Sequence, residues 1–199
     1  LSGKIFLITG AAGAIGGAVA AAVRQAGGEA VATDLKAASG VDMKLDVTDE
    51  DAWLKLTAEL EARHGRLDGL VNAAGIAVTG SIEKTDFATW RRVQSVNLDG
   101  TFLGCKAALP LLRKQGGSIV NLSSVLGLVG SATMAAYAAS KGGVSLLTKS
   151  VALDGARTKP PVRCNAICPA FIEGAMVDEI ASGTRDPKTA RENFAGGIP

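Results

Sequence analysis

An apolar run, Lys4-Ile5-Phe6-Leu7-Ile8-Thr9, passes directly into Gly10-Ala11-Ala12-Gly13-Ala14-Ile15-Gly16-Gly17 and then into an alanine-rich stretch reaching about Ala26. Strand, glycine turn and helix account for every glycine in it. Such a turn lets backbone N–H groups approach a pyrophosphate, and the helix N-terminus adds partial positive charge. Two other readings compete. The turn could simply be tight, and residues 5–23 are uncharged and about long enough to span a bilayer, with Gly13 and Gly17 at helix-dimer spacing. Glycines interrupt that stretch and the strand-turn-helix reading uses every one of them, so no membrane segment is expected.

The alternation continues along the chain. Strands are expected at 5–9, 29–33, 42–44, 69–71, 118–122 and 162–167, and helices at 14–26, 49–63, 87–95, 99–114 and 132–155. Short apolar strands between longer helices predict an α/β fold built on one doubly wound parallel sheet, covered on both faces. With 199 residues, 47% of them hydrophobic, the chain is expected to form one domain over 1–199. Pro110 should kink or interrupt its helix. From Pro169 the pattern turns irregular, so 169–199 is expected to be a lid over the substrate.

Candidate chemistry lies at two further places. Asp34 closes the second strand about two dozen residues after Gly10. A carboxylate there can accept the adenosine ribose hydroxyls and repel a 2′-phosphate, favouring NAD(H) over NADP(H), although Lys36 blurs the charge. Asp34 could equally be a turn residue. Tyr137, the only tyrosine, stands four residues before Lys141 on one helix face, where an ammonium is expected to lower the phenol's pKa. Standing alone, such a pair is more often a half-buried aromatic beside a solvated charge.

The net charge of +2 and the lack of a basic cluster exclude an obvious nucleic-acid partner. His64 is the only histidine. It leaves no material for a zinc site or a histidine triad and reads as a solvated helix end. Cys164 on the expected strand and Cys168 just past its end would lie about 13 Å apart in an extended chain, too far to bridge. With Cys105 they read as reduced core thiols. As no signal or transit sequence precedes the first strand, a cytoplasmic location is expected.

Taken in order, Thr9-Gly10 through Gly16, Asp34, Leu45-Asp46-Val47, Asn72-Ala73-Ala74-Gly75, Asn97, Asn121-Leu122-Ser123-Ser124, Tyr137 through Lys141 and Asn165 through Pro169 resemble the short-chain dehydrogenase/reductase family over essentially the whole length. Ala14, Ala73, Ala170 and Gly174 depart from the family pattern. The resemblance implies a Rossmann fold, here with six strands and the usual seventh missing, so the sixth is expected to form an exposed apolar edge. It also implies NAD contacts from Gly10, Gly13, Ile15, Gly16, Asp34, Leu35, Asp46, Val47, Asn72, Ala74, Gly75, Tyr137, Lys141, Pro169 and Ile172.

On the same basis, Tyr137 would be the general acid/base in the exchange of a secondary alcohol and a ketone. Lys141 would favour the phenolate and hold the nicotinamide ribose, and Ser124 would orient the substrate oxygen. Ser123, one residue away, should face the other side of the strand. Asn97 would fix a water relaying protons from Lys141, unless it is only a cap or turn residue. Three functions are open: an alcohol or hydroxysteroid dehydrogenase, a 3-oxoacyl thioester reductase, and a non-catalytic nucleotide-binding protein. A homotetramer is expected through helices 99–114 and 132–155, where small residues permit close approach.

Overall fold

The structure, a computed structural model, describes residues 1–182 together with Asp186, Lys188, Thr189 and Arg191. The strands are β1 (Ile5–Thr9), β2 (Glu29–Asp34), β3 (Met43–Lys44), β4 (Gly69–Asn72), β5 (Gly117–Leu122) and β6 (Val162–Ile167). The helices are α1 (Ala14–Gln25), α2 (Glu50–His64), α3 (Phe87–Gln94), α4 (Gly100–Leu112), α5 (Ala135–Gly155) and α6 (Ala175–Ser182). All strand pairs are parallel, in the order β3-β2-β1-β4-β5-β6. This is the expected six-stranded doubly wound sheet.

Side chains alternating along each strand feed two cores. Leu7, Val31, Leu70, Ile119 and Val162 pack with Trp53, Leu56 and Leu60 of α2, Leu111 and Leu112 of α4 and Val151 of α5. Ile8, Ala30, Ala32 and Val71 meet Ala20 and Val23 of α1 on the other face. β6 pairs only with β5, and its outward residues Arg163, Asn165 and Ile167 are exposed. The sixth strand is therefore an edge among the described residues.

Helix ends follow local chemistry. Asp49 caps α2 by accepting the Ala52 N–H, and Gly65 closes it in the left-handed region. Asp86 likewise caps α3 through Thr89.

Several expectations need correction. Pro110 lies within α4, close to its end, and does not interrupt it. α3 and α4 are joined by a π-helical turn, Ser95–Asp99, rather than a break. The stretch after Pro169 is not wholly irregular, since it contains α6. The remainder of the expected lid, at 183–185, 187, 190 and 192–199, lies outside the described residues. His64 ends α2 as expected but is not solvated. Its side chain is 10% exposed, with Nε2 3.4 Å from Glu29 Oε1. Cys105 and Cys164 are buried, whereas Cys168 falls one residue past β6 and is half-buried.

The turn after β1 is tightly packed. A Cβ on Gly16 would lie 2.3 Å from the Gly10 carbonyl oxygen, whereas one on Gly130 would meet nothing within 4 Å. Gly16→Ala should therefore lower the unfolding free energy in urea by about 1–3 kcal/mol. Gly130→Ala should change it by less than about 0.5 kcal/mol. Equal effects would show that the turn tolerates a side chain.

Candidate active site

β1 is the first strand laid down, and the chain leaves it toward β2 on one side and returns to β4 on the other. The crevice at the carboxyl ends of β1 and β4 is the place where such sheets bind ligands. Thr9 holds it in register. Its Oγ1 accepts from the N–H groups of Ala73 and Ala74, each at 3.2 Å. Gly10 has φ +68°, and a Cβ there would lie 2.6 Å from the Ala74 nitrogen. Only glycine permits that approach.

α1 begins at Ala14 with Gly13 as its cap, and no side chain satisfies its first N–H groups. Free donors at a helix N-terminus facing a ligand crevice fit an anionic pyrophosphate. Ala14, in place of the family's glycine, is exposed. Its Cβ would lie 2.9 Å from one built on Gly174, so the segment after β6 folds over this turn. Asp34 ends β2. Its carboxylate accepts the N–H groups of Ala12 and Lys36, each at 3.0 Å. These bonds fix the acid beside the glycine turn, where it could receive ribose hydroxyls. Leu35 beside it is 55% exposed.

Asp46 binds both the N–H and the hydroxyl of Thr48, at 2.9 and 2.7 Å. Val47 accepts the Trp53 indole N–H through its carbonyl and packs against Gly100. Ile15 is half-buried on α1. The Asn72 side chain faces the core. It donates to Asn121 Oδ1 at 2.9 Å, so only its backbone is available to a ligand. Asn121 in turn donates to Thr148, making a buried polar chain that ties β4 and β5 to α5.

The four candidate catalytic residues converge. Asn97, fully buried in the π-helical turn, accepts the Ile76 N–H at 2.8 Å and donates to the Ile76 carbonyl and to Ser140 Oγ, each at 3.0 Å. Ser140 Oγ donates to the Tyr137 carbonyl at 2.7 Å. Asn97 is thus neither a cap nor a simple turn residue; it clamps the loop after β4 onto the first turns of α5. A Cβ on Gly75 would lie 3.2 Å from Asn97 Oδ1 and 3.5 Å from Lys141 Nζ, which brings that loop to the lysine. Ser124 caps a short 3-10 turn, Val125–Gly127, at the end of β5. Ser123 faces the other way, donating to the Lys141 carbonyl at 2.8 Å.

The electrostatics differ from expectation. Lys141 Nζ lies 5.7 Å from the centre of the Tyr137 ring and donates to the Leu122 carbonyl at 2.6 Å. Burial pushes the lysine down to about 8. Burial likewise raises the phenol above its usual value, with a hydrogen bond to Ser124 pulling the other way. Desolvation sets the direction, and the lowering expected from the ammonium is not realised. Pro169 and Ile172 follow β6 here. The Pro169 carbonyl accepts the Val125 N–H at 2.9 Å, bringing this segment beside Ser124, and Ile172 is 48% exposed.

Thr9, Ile76 and Ser140 were not singled out from the sequence as site residues. Thr9 acts through its hydroxyl on the backbone of Ala73 and Ala74, and Ile76 through its own backbone. Ser140 carried a signal, a hydroxyl between Tyr137 and Lys141 on the same helix.

The family model for short chain dehydrogenases matches residues 4–185. An NADP-dependent (R)-specific alcohol dehydrogenase of Lentilactobacillus kefiri is 37% identical over 195 residues, covering 90% of this chain and 77% of the relative. A 3beta-hydroxysteroid dehydrogenase of Mediterraneibacter gnavus is 39% identical over 210 residues, covering 92% and 75%. The ligand-free aldohexose dehydrogenase of Thermoplasma acidophilum superposes with a TM-score of 0.87 at 34% identity, over 96% of this chain and 76% of that one. With the family model spanning nearly the whole chain and relatives of this similarity, the protein belongs to the short-chain dehydrogenase/reductase family and is an oxidoreductase of that family.

Proposed function

We propose that the protein interconverts a secondary alcohol and a ketone with NAD(H). The observation that carries this reading is the convergence of Ser124, Tyr137 and Lys141 at the carboxyl ends of the strands, beside the glycine turn and Asp34. When bound, the nicotinamide accepts or supplies the hydride. The chain handles the proton and the orientation. Ser124 hydrogen-bonds the substrate oxygen, and the Tyr137 phenolate takes the hydroxyl proton in oxidation or returns it in reduction. Lys141 is held beside the ring, where its charge favours the phenolate, and its Nζ would move from the Leu122 carbonyl to the nicotinamide ribose. Asn97 braces the loop beside Lys141 and is assigned the water relay to solvent.

Gly10, Gly13, Ile15 and Gly16 would cradle the pyrophosphate, Asp34 and Leu35 the adenosine ribose, and Asp46 and Val47 the adenine. Backbone at Asn72, Ala74 and Gly75, with Pro169 and Ile172, would flank the nicotinamide half. Asp34 supports NAD; the Lentilactobacillus relative is NADP-dependent by name, so the preference rests on this carboxylate and its charge. A thioester reductase is the second reading, and the same acid weighs against it. The whole chain is read as one catalytic domain, its segment after Pro169 as the lid, working in the cytoplasm. No helix among the described residues is long and apolar enough to cross a membrane.

We further propose a homotetramer that pairs α4 and α5. Phe102 is 48% and Leu146 65% exposed on these helices, beside exposed Ala139. Apolar area of this kind favours burial in an assembly.

Three outcomes are expected. Tyr137→Phe should reduce turnover by at least about a hundredfold while NAD binding changes little, because the ring stays and the transferable proton goes. Retention of a tenth of the activity would exclude Tyr137 as the acid/base. Asp34→Ala should move the ratio of kcat/KM values toward NADP, and equal use of both cofactors by the unmutated protein would contradict the assignment. In sedimentation at micromolar concentration the protein should form an assembly that Leu146→Glu breaks; a monomer throughout would refute the tetramer.

A further inference from the structure

We propose that the site takes an uncharged, apolar secondary alcohol or ketone and discriminates against substrates bearing a carboxylate, phosphate or sulfonate. This rests on the alcohol–ketone reading above and names the substrate class of that same site. Three segments frame the crevice beside Ser124 and Tyr137, namely 73–82 after β4, 123–136 after β5, and 164–172 at the end of β6. They touch one another. The Gly80 N–H donates to the Thr133 carbonyl at 2.7 Å, Gly80 bridges Met134, and the Val125 N–H donates to the Pro169 carbonyl at 2.9 Å.

None of these segments contains Asp, Glu, Lys, Arg or His, although a chain that is 20% charged would place about seven such residues in this combined length. Loops that face water usually carry charge. These expose hydrocarbon instead. Leu128 is 68% exposed, Val129 56%, Ile82 73% and Ile172 48%, and Met176 on α6 adds a further 38%. The charge that follows each of the first and third segments is an acid, Glu83 or Glu173, while Arg163 precedes the third on β6. Beyond Ser182 the described cations are Lys188 and Arg191, of which Arg191 is paired with Asp178. Lys141 is buried and donates inward to Leu122.

An anionic substrate would thus lose water against Leu128, Val129 and Ile82 with no cation supplied by these segments in return. A neutral hydrocarbon skeleton gains by the same burial. The apolar side chains and the missing cations act in one direction, so the discrimination is against charge rather than against size.

The test uses a matched pair, 4-oxocyclohexanecarboxylate and its methyl ester, which share ring and reacting carbonyl. Their affinities are measured by calorimetry on the full chain carrying Tyr137→Phe, saturated with NADH, so that binding is read without turnover. The ester should bind at least tenfold more tightly, and adding Leu128→Arg should improve the carboxylate relative to the ester by about tenfold. Equal binding, tighter binding of the carboxylate, or failure to bind the ester would overturn the inference. An ester that binds selectively yet is not reduced by the unmutated protein would overturn the alcohol–ketone reading and leave the selectivity standing.

Discussion

The backbone of Gly10 passes so close to that of Ala74 that no side chain fits between them. The site depends on this contact. It brings the turn after β1 against the turn after β4, and Thr9 locks both ends with one hydroxyl oxygen. The second contact, Gly16 against the Gly10 carbonyl, draws α1 back over its own turn and sets the helix N-terminus at the crevice. Asp34 then ties the turn to β2 through Ala12. Three strand ends are fixed by contacts onto the backbone, before any catalytic side chain is considered.

The catalytic corner is held by a second set of contacts, made of buried amides and hydroxyls. Asn97 spends its amide on Ile76 and Ser140, and Ser140 holds the Tyr137 carbonyl. Each bond is made in a water-poor interior, where an unmet partner would be costly. Burial also explains why Lys141 and Tyr137 both move toward neutrality. A positively charged nicotinamide beside the phenol is the added charge that would turn this balance toward phenolate.

Much of this was legible in the sequence. Strands buried on both faces read as apolar runs, and β1 and β6 have the bounds their residues suggest. Tyr137 and Lys141 could be paired by helical spacing alone, and Ser124 and Asn97 by the order of motifs. What could not be read was tertiary. The π-helical turn at Ser95–Asp99 has no glycine or proline to announce it, because it is a shift in hydrogen-bond register. The half-buried His64 is not legible from its position at a helix end, because its Glu29 neighbour is far away in sequence. The direction of the Tyr137 shift depends on burial, which spacing does not reveal.

A crystal structure of the protein with NAD bound tests the account most directly. It predicts the adenosine ribose hydroxyls on the Asp34 carboxylate, the pyrophosphate over the N-terminus of α1, and Lys141 Nζ moved from the Leu122 carbonyl to the nicotinamide ribose. A cofactor lying away from Asp34 and α1, or a Lys141 still bonded to Leu122 beside a bound nicotinamide, would contradict it.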